Sequence, residues 1–334
     1  SNSTLKTMND FWNHKRVFVT GANGFLGSHL CEALVGLGAE VVGLVRDDVP
    51  NAYFVQQKID TKITQIHGDL ANEFLLERVF NEYEIDTCFH LAAQPLVGVA
   101  NRSPRSTFES NMRGTWNLFE AARTWKKLRG ICVASSDKAY GDSDQLPYVE
   151  NQPLFGKNPY DLSKTVTDML AQSYYHTYQL PVAISRCGNF YGPGDLNWSR
   201  IVPGTYRSYL RSEAPVIRSD GTLIRDYFFV KDVVNSYLTL GEHLTEENVI
   251  GQAFNFGTED KISVLDLVKK MQQIAGRDDL SPVVQGMNNN EIPAQYLNVN
   301  KAKDTFGWSA KVSLDEGLKQ THDWYKAFLT NEIS

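Results

Sequence analysis

The chain has 334 residues, of which 42% are hydrophobic and 22% are charged, and its formal net charge is -6 at pH 7. This length allows one large domain with a smaller lobe. The negative charge, without any long basic run, argues against a nucleic-acid-binding surface. No apolar stretch reaches the length of a membrane span and no signal-peptide core is apparent, so we expect no membrane association and a cytoplasmic protein.

Four cysteines occur in predicted strands or on an apolar helix face, and their spacing is not that of metal ligands. They are Cys31, Cys88, Cys132 and Cys187. Buried free thiols in a reducing compartment are the simplest interpretation of such cysteines. We therefore expect neither a disulfide framework nor a metal site.

A glycine-rich turn follows the first predicted strand. Residues 15–20 are typical of a short buried strand, and Gly21-Ala22-Asn23-Gly24-Phe25-Leu26-Gly27 leads from it into an apolar helix at 28–37. In a dinucleotide-binding turn the first glycine permits the tight turn, the second lets the backbone approach the pyrophosphate, and the third lets helix pack on strand. The phosphates then lie over the helix N-terminus. The pattern predicts this role for the turn.

Apolar strand-like runs alternate with helical stretches over the first 190 residues. The predicted strands are 15–20, 40–45, 63–66, 87–90, 130–134 and 180–186, and the helical stretches between them include 106–122 and 161–178. This alternation predicts an α/β fold, a Rossmann-like doubly wound parallel sheet. Ligands of such sheets bind at the carboxyl ends of the strands.

A serine, an aspartate and a lysine follow the strand at 130–134, and a tyrosine and a lysine four residues apart lie on the next predicted helix. They are Ser136, Asp137, Lys138, Tyr160 and Lys164. Residues four apart share a helix face, and the Lys164 ammonium favours the phenolate form of Tyr160, which makes the tyrosine a base. Ser136 can hold a substrate alcohol while Tyr160 takes its proton and a nicotinamide takes the hydride.

Oxidation of an alcohol does not need Asp137 or Lys138. An acid and an amine placed directly after the serine can give one proton and remove another once a ketone has formed. The pair therefore favours elimination of water.

The alternating pattern loosens after residue 186. The turn-rich segment 189–195 is followed by Arg200 and Arg225, which suit bidentate capture of a second diphosphate, that of a substrate. Charge alone favours ordinary surface or ion-pair roles for these arginines. We expect a lobe that binds this substrate from 189–228 and 258–330, and a dinucleotide-binding domain from 11–188 to which 229–257 return.

Several segments together resemble the extended short-chain dehydrogenase/reductase family over nearly the whole chain. They are residues 20–27, 90–97, 109–115 and 225–227, together with Tyr160 and Lys164. Within that family the chain is most similar to the nucleotide-sugar 4,6-dehydratases of the CDP-glucose type, which share the Ser136-Asp137-Lys138 triplet and the Gly-Asp to Arg-x-x-Pro spacing at 194–203. Where dTDP-glucose dehydratases have glutamate, this chain has Lys138.

The resemblance implies a role for each matching position. Ser136, Tyr160 and Lys164 become the oxidation group, Asp137 the acid and Lys138 the base. The cofactor-binding positions are Gly21, Asn23, Gly24, Phe25, Leu26, Gly27, Arg46, Asp69, Leu70, Leu91, Ala92, Ala93, Asn111, Tyr160 and Lys164. The substrate-binding positions are Gln94, Ser136, Asn189, Arg200 and Arg225.

Two departures leave the substrate base and the cofactor open. Residues 217–230 differ from the CDP-glucose type and resemble other nucleotide-sugar enzymes, so a GDP-sugar is an alternative to a CDP-glucose-like substrate. Arg46 could meet the 2′-phosphate of NADP, whereas Asp47 and Asp48 would repel it. The resemblance therefore implies NAD, with NADP possible, tightly bound and recycled in each turnover, and a homodimer.

Two alternatives to a dehydratase remain. A nucleotide-sugar 4-epimerase would use Ser136, Tyr160 and Lys164 but has no use for the acid–amine pair. A non-catalytic dinucleotide-binding protein is the alternative of another class, because fold does not determine function.

Overall fold

Runs of β-branched and aromatic residues form the strands of the protein, whose computed structural model describes residues 10–93, 97–287 and 290–332. In chain order the strands are β1 (Arg16–Thr20), β2 (Glu40–Val45), β3 (Thr64–His67), β4 (Thr87–His90), β5 (Gly130–Ala134), β6 (Val182–Cys187), β7 (Asn189–Tyr191), β8 (Val216–Ile217), β9 (Ile224–Phe229), β10 (Ala253–Phe256), β11 (Lys261–Ser263), β12 (Val283–Val284) and β13 (Ala294–Gln295).

Twelve α-helices of the described residues connect these strands. They are α1 (Phe25–Gly36), α2 (Tyr53–Gln56), α3 (Glu73–Glu82), α4 (Val97–Arg102), α5 (Pro104–Phe108), α6 (Gly114–Thr124), α7 (Pro159–Tyr178), α8 (Ile201–Leu210), α9 (Val230–Glu242), α10 (Val264–Ala275), α11 (Asn300–Phe306) and α12 (Leu314–Glu332). Short 3₁₀-helices span Ile59–Thr61 and Asp137–Tyr140, and a π-helical turn spans Glu109–Arg113.

A seven-stranded sheet has the order β10-β6-β5-β4-β1-β2-β3. The strands from β3 to β6 pair in parallel, and β10 extends the sheet beside β6. Strands β2 and β3 are added on one side of β1, whereas β4 and the strands after it are added on the other side. The strand order therefore reverses between β1 and β4, and doubly wound sheets bind their ligands at such a switch point. The predicted Rossmann-like fold is confirmed.

The chain divides into two compact units. The first unit comprises the residues up to Ser143 together with Glu150–Arg186 and Val234–Asn255. The second unit comprises Asp144–Val149, Cys187–Val233 and the residues from Phe256 onward. The first contains the large sheet, and its core includes Phe18, Phe80, Phe119 and Ile131, all fully buried. The domain limits inferred from the sequence stay a prediction.

The second unit has a small sheet of its own. Strand β9 pairs with β11 on one side and with β13 on the other, and β7 also pairs with β9. A separate two-stranded pair joins β12 to β8. Ile217, Val264 and Val268 form a buried cluster in this unit.

The helix predicted at 106–122 is present but is not regular. It runs as α5, the π-helical turn and α6, which together span residues 104–124. The buried Asn111 lies in the π-helical turn. Such turns are rare and often occur at functional sites. Among the described residues no helix is long and apolar enough to cross a membrane.

Candidate active site

The 3₁₀-helix after β5 holds the serine, the acid and the amine in one turn. Ser136 begins this helix, and its Oγ accepts a hydrogen bond from the backbone N–H of Lys138 at 3.1 Å. The same hydroxyl donates to Asp137 Oδ1 at 3.3 Å. Ser136 and Asp137 are buried and Lys138 is half-buried. The acid and the amine are therefore fixed beside the hydroxyl by the backbone itself.

Helix α7 brings the tyrosine and lysine to the same end of β5. The Lys164 Nζ donates to the carbonyl of Ala134, the last residue of β5, at 3.0 Å. Thr165 Oγ1 donates to the carbonyl of Ala139 in the 3₁₀-helix at 2.9 Å. Lys164 is buried and Tyr160 is half-buried. These two bonds hold the first turns of α7 against the serine turn.

The glycine turn after β1 has the conformation that a phosphate cradle needs. Gly21 has a φ of +67°, in the left-handed region, and its carbonyl accepts the Gly24 N–H at 3.1 Å. A Cβ at Gly27 would lie 2.0 Å from the Gly21 oxygen, so only glycine lets α1 approach the turn this closely. Gly24 caps α1, and a Cβ there would meet only Gly21. The helix N-terminus and this bare turn fit a dinucleotide diphosphate.

A buried histidine at the end of β4 is fixed in one tautomer by its neighbours. The Thr115 hydroxyl donates its single proton to the Asn111 carbonyl at 2.6 Å. His90 Nε2, at 2.9 Å from Thr115 Oγ1, must therefore donate, and His90 Nδ1 accepts from Thr20 Oγ1 at 2.8 Å. Burial, together with the nearby charge of Lys164, lowers the pKa of His90 to about 3. The imidazole is therefore neutral at physiological pH.

The hydroxyl of Thr20 continues this chain into the segment after β4. It accepts the backbone N–H groups of Leu91 and Ala92, both at 3.1 Å. These two residues and the adjacent, half-buried Ala93 are predicted cofactor contacts beside the switch point. Gln94, the next predicted site residue, lies outside the described residues.

Asn111 links the same network to the catalytic helix. Its Nδ2 donates to Ser163 Oγ at 2.9 Å, and Ser163 Oγ donates to the carbonyl of Tyr160 at 2.7 Å. The Asn111 carbonyl also accepts Thr167 Oγ1 at 3.0 Å. A continuous series of hydrogen bonds thus runs from the end of β4 through the π-helical turn to α7.

Arg46, at the end of β2, is already engaged by its neighbours. Its Nε pairs with Asp47 Oδ2 at 2.8 Å, and its Nη1 donates to Ser110 Oγ at 3.4 Å. Asn23 Nδ2 donates to the Asp47 carbonyl at 2.7 Å. The Arg46 side chain is 54% exposed, so solvent screens this pair.

The remaining predicted cofactor residues surround the same sheet end. Asp69 Oδ1 accepts the Ala71 N–H at 2.9 Å, and the carbonyl of the buried Leu70 accepts Asn117 Nδ2 at 2.9 Å. On α1, Leu26 is buried and Phe25 is half-buried. The described residues contain no group of three or more histidine, cysteine, aspartate or glutamate side chains that could hold a metal ion.

The predicted substrate residues Asn189, Arg200 and Arg225 lie in the second unit. Arg200 precedes α8, and its Nη1 pairs with the buried Asp195 at 2.9 Å. Arg225 is buried in β9 and donates to the Ile224 carbonyl at 2.8 Å. Asn189 is half-buried at the start of β7.

Reasoning from the sequence gave no site role to His90, Thr20 or Thr115, although each lies at the end of a segment that carries the family resemblance. Thr20 directly precedes the glycine turn, and Thr115 is one helical turn after Asn111. It also passed over Asp161, the residue after Tyr160, which is 7% exposed. The sequence carries no signal for this burial, because an acidic residue in the first turn of a helix is common and ordinarily exposed.

The comparisons with known sequences agree over almost the whole chain. Residues 18–321 match the family model described as GDP-mannose 4,6 dehydratase. CDP-glucose 4,6-dehydratase from Salmonella typhimurium is 31% identical over 97% of this chain and 94% of that protein. dTDP-D-glucose 4,6-dehydratase from Homo sapiens is 28% identical over 93% of this chain and 90% of that protein.

Solved structures with the same fold include both dehydratases and epimerases. The dTDP-glucose 4,6-dehydratase of Streptomyces venezuelae, solved with NAD bound, is 26% identical with a TM-score of 0.83. The match covers 93% of this chain and 97% of that one. The UDP-glucose 4-epimerase of Thermotoga maritima, with UDP-glucose, is 29% identical with a TM-score of 0.85, covering 94% and 99%. The fold by itself therefore does not separate the two reactions.

Proposed function

This chain belongs to the GDP-mannose 4,6 dehydratase family of extended short-chain dehydrogenases/reductases, and we propose that it removes one water from a nucleotide-diphosphate hexose to give the 4-keto-6-deoxy sugar. One observation carries the proposal. Asp137 and Lys138 lie in the same turn as the Ser136 hydroxyl, and Thr165 ties that turn to the helix of Tyr160 and Lys164. An epimerase needs the oxidation group, but it has no use for the acid–amine pair.

In the first half of the reaction, Ser136 holds the C4 hydroxyl of the sugar and Tyr160 takes its proton. Lys164, anchored on the Ala134 carbonyl at 3.0 Å, keeps a positive charge near the phenolate. The C4 carbonyl that results acidifies the proton on C5. A dinucleotide held at the Gly21–Gly27 turn would supply the acceptor for the C4 hydride and the donor of the hydride that C6 receives.

In the second half, Lys138 removes the C5 proton and Asp137 protonates the C6 hydroxyl, which leaves as water. Lys138 then gives a proton back to C5. Asp137 lies nearer the buried end of the turn than Lys138, which is half-buried. A positioned acid or base of this kind typically contributes about 10²- to 10⁴-fold in rate.

The nucleotide of the substrate is proposed from similarity. The relatives named above act on CDP-glucose and dTDP-glucose, and the matched family model is described by GDP-mannose. We favour a CDP-glucose-like substrate, with a GDP-sugar as the alternative, bound in part by Asn189, Arg200 and Arg225.

We propose NAD as the cofactor, retained through turnover because the hydride is returned. The ion pair between Asp47 and Arg46 supports NAD, because it engages the guanidinium group that the 2′-phosphate of NADP would need. Protein purified without added nucleotide should release NAD when it is denatured. A dinucleotide-free extract, with a need for stoichiometric added NAD, would remove this proposal.

The experiment that tests the function is a panel of sugar nucleotides. CDP-glucose, GDP-mannose, UDP-glucose and dTDP-glucose are incubated separately with the purified protein, and the products are analysed by mass spectrometry for loss of water and by proton NMR for the configuration at C4. Loss of one water from one member supports the dehydratase. A change of configuration at C4 without loss of mass supports the 4-epimerase, which the likeness to the Thermotoga maritima enzyme keeps as the second candidate. No change with any of the four contradicts both.

A further inference from the structure

The proposed reaction leaves one proton in the wrong place at the end of each turnover. The C4 hydroxyl proton goes to Tyr160, while the proton that leaves with the C6 oxygen comes from Asp137. The C5 proton goes to Lys138 and is replaced from there, and the C4 hydride ends on C6. Electrons and carbon-bound hydrogens therefore balance, but Tyr160 has gained a proton and Asp137 has lost one. Asp137 must be reloaded before it can act again.

A second carboxyl group, that of Asp161, lies close enough to the acid–amine pair to interact with the charges of both Asp137 and Lys138. Asp161 lies in the first turn of α7, one helical turn before Thr165, so the two side chains share a helix face. Because Thr165 Oγ1 is bonded to the carbonyl of Ala139, that face is turned toward the 3₁₀-helix that begins at Asp137. Asp161 is 7% exposed.

The neighbours of Asp161 make it a proton carrier and not a fixed ion. The pKa of its carboxyl is raised to about 6, mainly by burial; the charge of Asp137 also raises it, whereas the charge of Lys138 and a hydrogen bond from Asn158 lower it. In the amide orientation that satisfies both groups, the Asn158 nitrogen donates to the two Asp161 oxygens at 3.2 and 3.0 Å. A carboxyl in this range both takes up and releases a proton near neutral pH.

We propose that Asp161 reloads Asp137 with a proton after each elimination and is then reprotonated from solvent, to which Tyr160 returns the proton it gained. Asp161 acts through Asp137, to which it delivers the proton, and it does not touch the substrate. This inference rests on the proposed dehydratase function and assigns to that site a step that neither Tyr160 nor Lys138 performs.

The test compares the first turnover with later ones. Asp161→Asn keeps the shape of the side chain and removes the titrating group. With CDP-glucose, or the panel member that loses water, rapid-quench analysis should show one equivalent of product per active site at the parent's rate. Later turnovers should then be slower than the parent's by at least about 10-fold. Asn158→Ala, which removes the neighbour of Asp161 but leaves the carboxyl, should show no such slowing.

A second variant keeps the proposal open to test if Asp161→Asn does not fold. Asp161→Ala leaves space for a small acid, and added formate should raise its later-turnover rate without changing the first turnover. Equal loss of first and later turnovers in Asp161→Asn, or later turnovers at the parent's rate, would overturn the role. So would a lack of any response to formate. A parent protein that removes no water from any sugar nucleotide overturns the proposed function itself, and this step with it.

Discussion

At the scale of single residues, Lys138 separates dehydration from oxidation. Lys138→Met keeps most of the side-chain volume and leaves Ser136, Tyr160 and Lys164 in place. Hydride transfer from C4 should still occur, whereas elimination should slow by roughly 10²- to 10⁴-fold. Reduced nicotinamide should therefore accumulate on the enzyme, and its near-ultraviolet absorbance measures this in a stopped-flow experiment.

The matched control for Lys138→Met is Tyr160→Phe, which removes the base of the first step. It should give neither reduced nicotinamide nor product, because the C4 hydroxyl keeps its proton. Near-native product formation by Lys138→Met would mean that another group is the C5 base. So would exchange of solvent deuterium into C5 as fast as in the parent.

Asp161 should also leave a signature in the pH dependence of stability. Its pKa is raised from the ordinary value of 3.8 to about 6 in the folded protein, so the folded state binds the proton more tightly than the unfolded state does. The stability that this provides is present below about pH 4 and is lost as the pH rises through about 6. Asp161→Asn should therefore gain up to ~3 kcal/mol relative to the parent between pH 4 and 7. Urea unfolding at several pH values measures the difference, and one that is independent of pH would contradict the assignment.

At the scale of elements, the His90 network is what joins β4 to α7. Thr115→Val should remove the acceptor of His90 Nε2–H and one of two hydroxyl donors to the Asn111 carbonyl. A buried donor left without a partner costs about 1–3 kcal/mol, so the free energy of unfolding should fall by that amount. Thr167→Val removes only the second donor to Asn111 and should cost less. Equal losses in denaturant unfolding of the two variants would show that the histidine bond contributes nothing.

The sequence predicts elements better than it predicts the contacts between them. The strand at 87–90 and the helix at 161–178 are found within two residues of their predicted limits, because an apolar run and a Pro159 start are local signals. The π-helical turn at Asn111 has no such signal, since it depends on hydroxyls from Thr115 and Thr167. The facing of Asp161 toward the 3₁₀-helix likewise depends on tertiary packing. The roles of the site residues stay predictions.

At the scale of the whole molecule, exposed apolar side chains on α6 and α7 favour a homodimer. Trp116 is 41% exposed, Met169 55% and Tyr178 52%, and a surface groove beside Trp116 is lined by Phe108 and Met112. Exposed patches of this kind mark association surfaces. Light scattering at micromolar concentration should give the mass of a dimer for the parent.

Two substitutions that introduce a negative charge test whether α6 lies in the dimer contact. Trp116→Glu should shift the mass toward the monomer, because a carboxylate buried in the contact is costly. Val283→Glu places the same charge at an exposed apolar residue of the second unit, 51% exposed, and should leave the dimer intact. A monomeric parent, or a dimer unaffected by Trp116→Glu, would contradict this contact.

The proposed reaction residues and the glycine turn all come from the first compact unit, whereas Asn189, Arg200 and Arg225 come from the second. With these proposed roles, chemistry and choice of nucleotide are encoded on different stretches of the gene. Substitutions in Cys187–Val233 should then change the sugar nucleotide that is accepted and leave the chemistry unchanged. Exchange of the second-unit segments between relatives is accordingly a direct route to engineered 6-deoxy sugars.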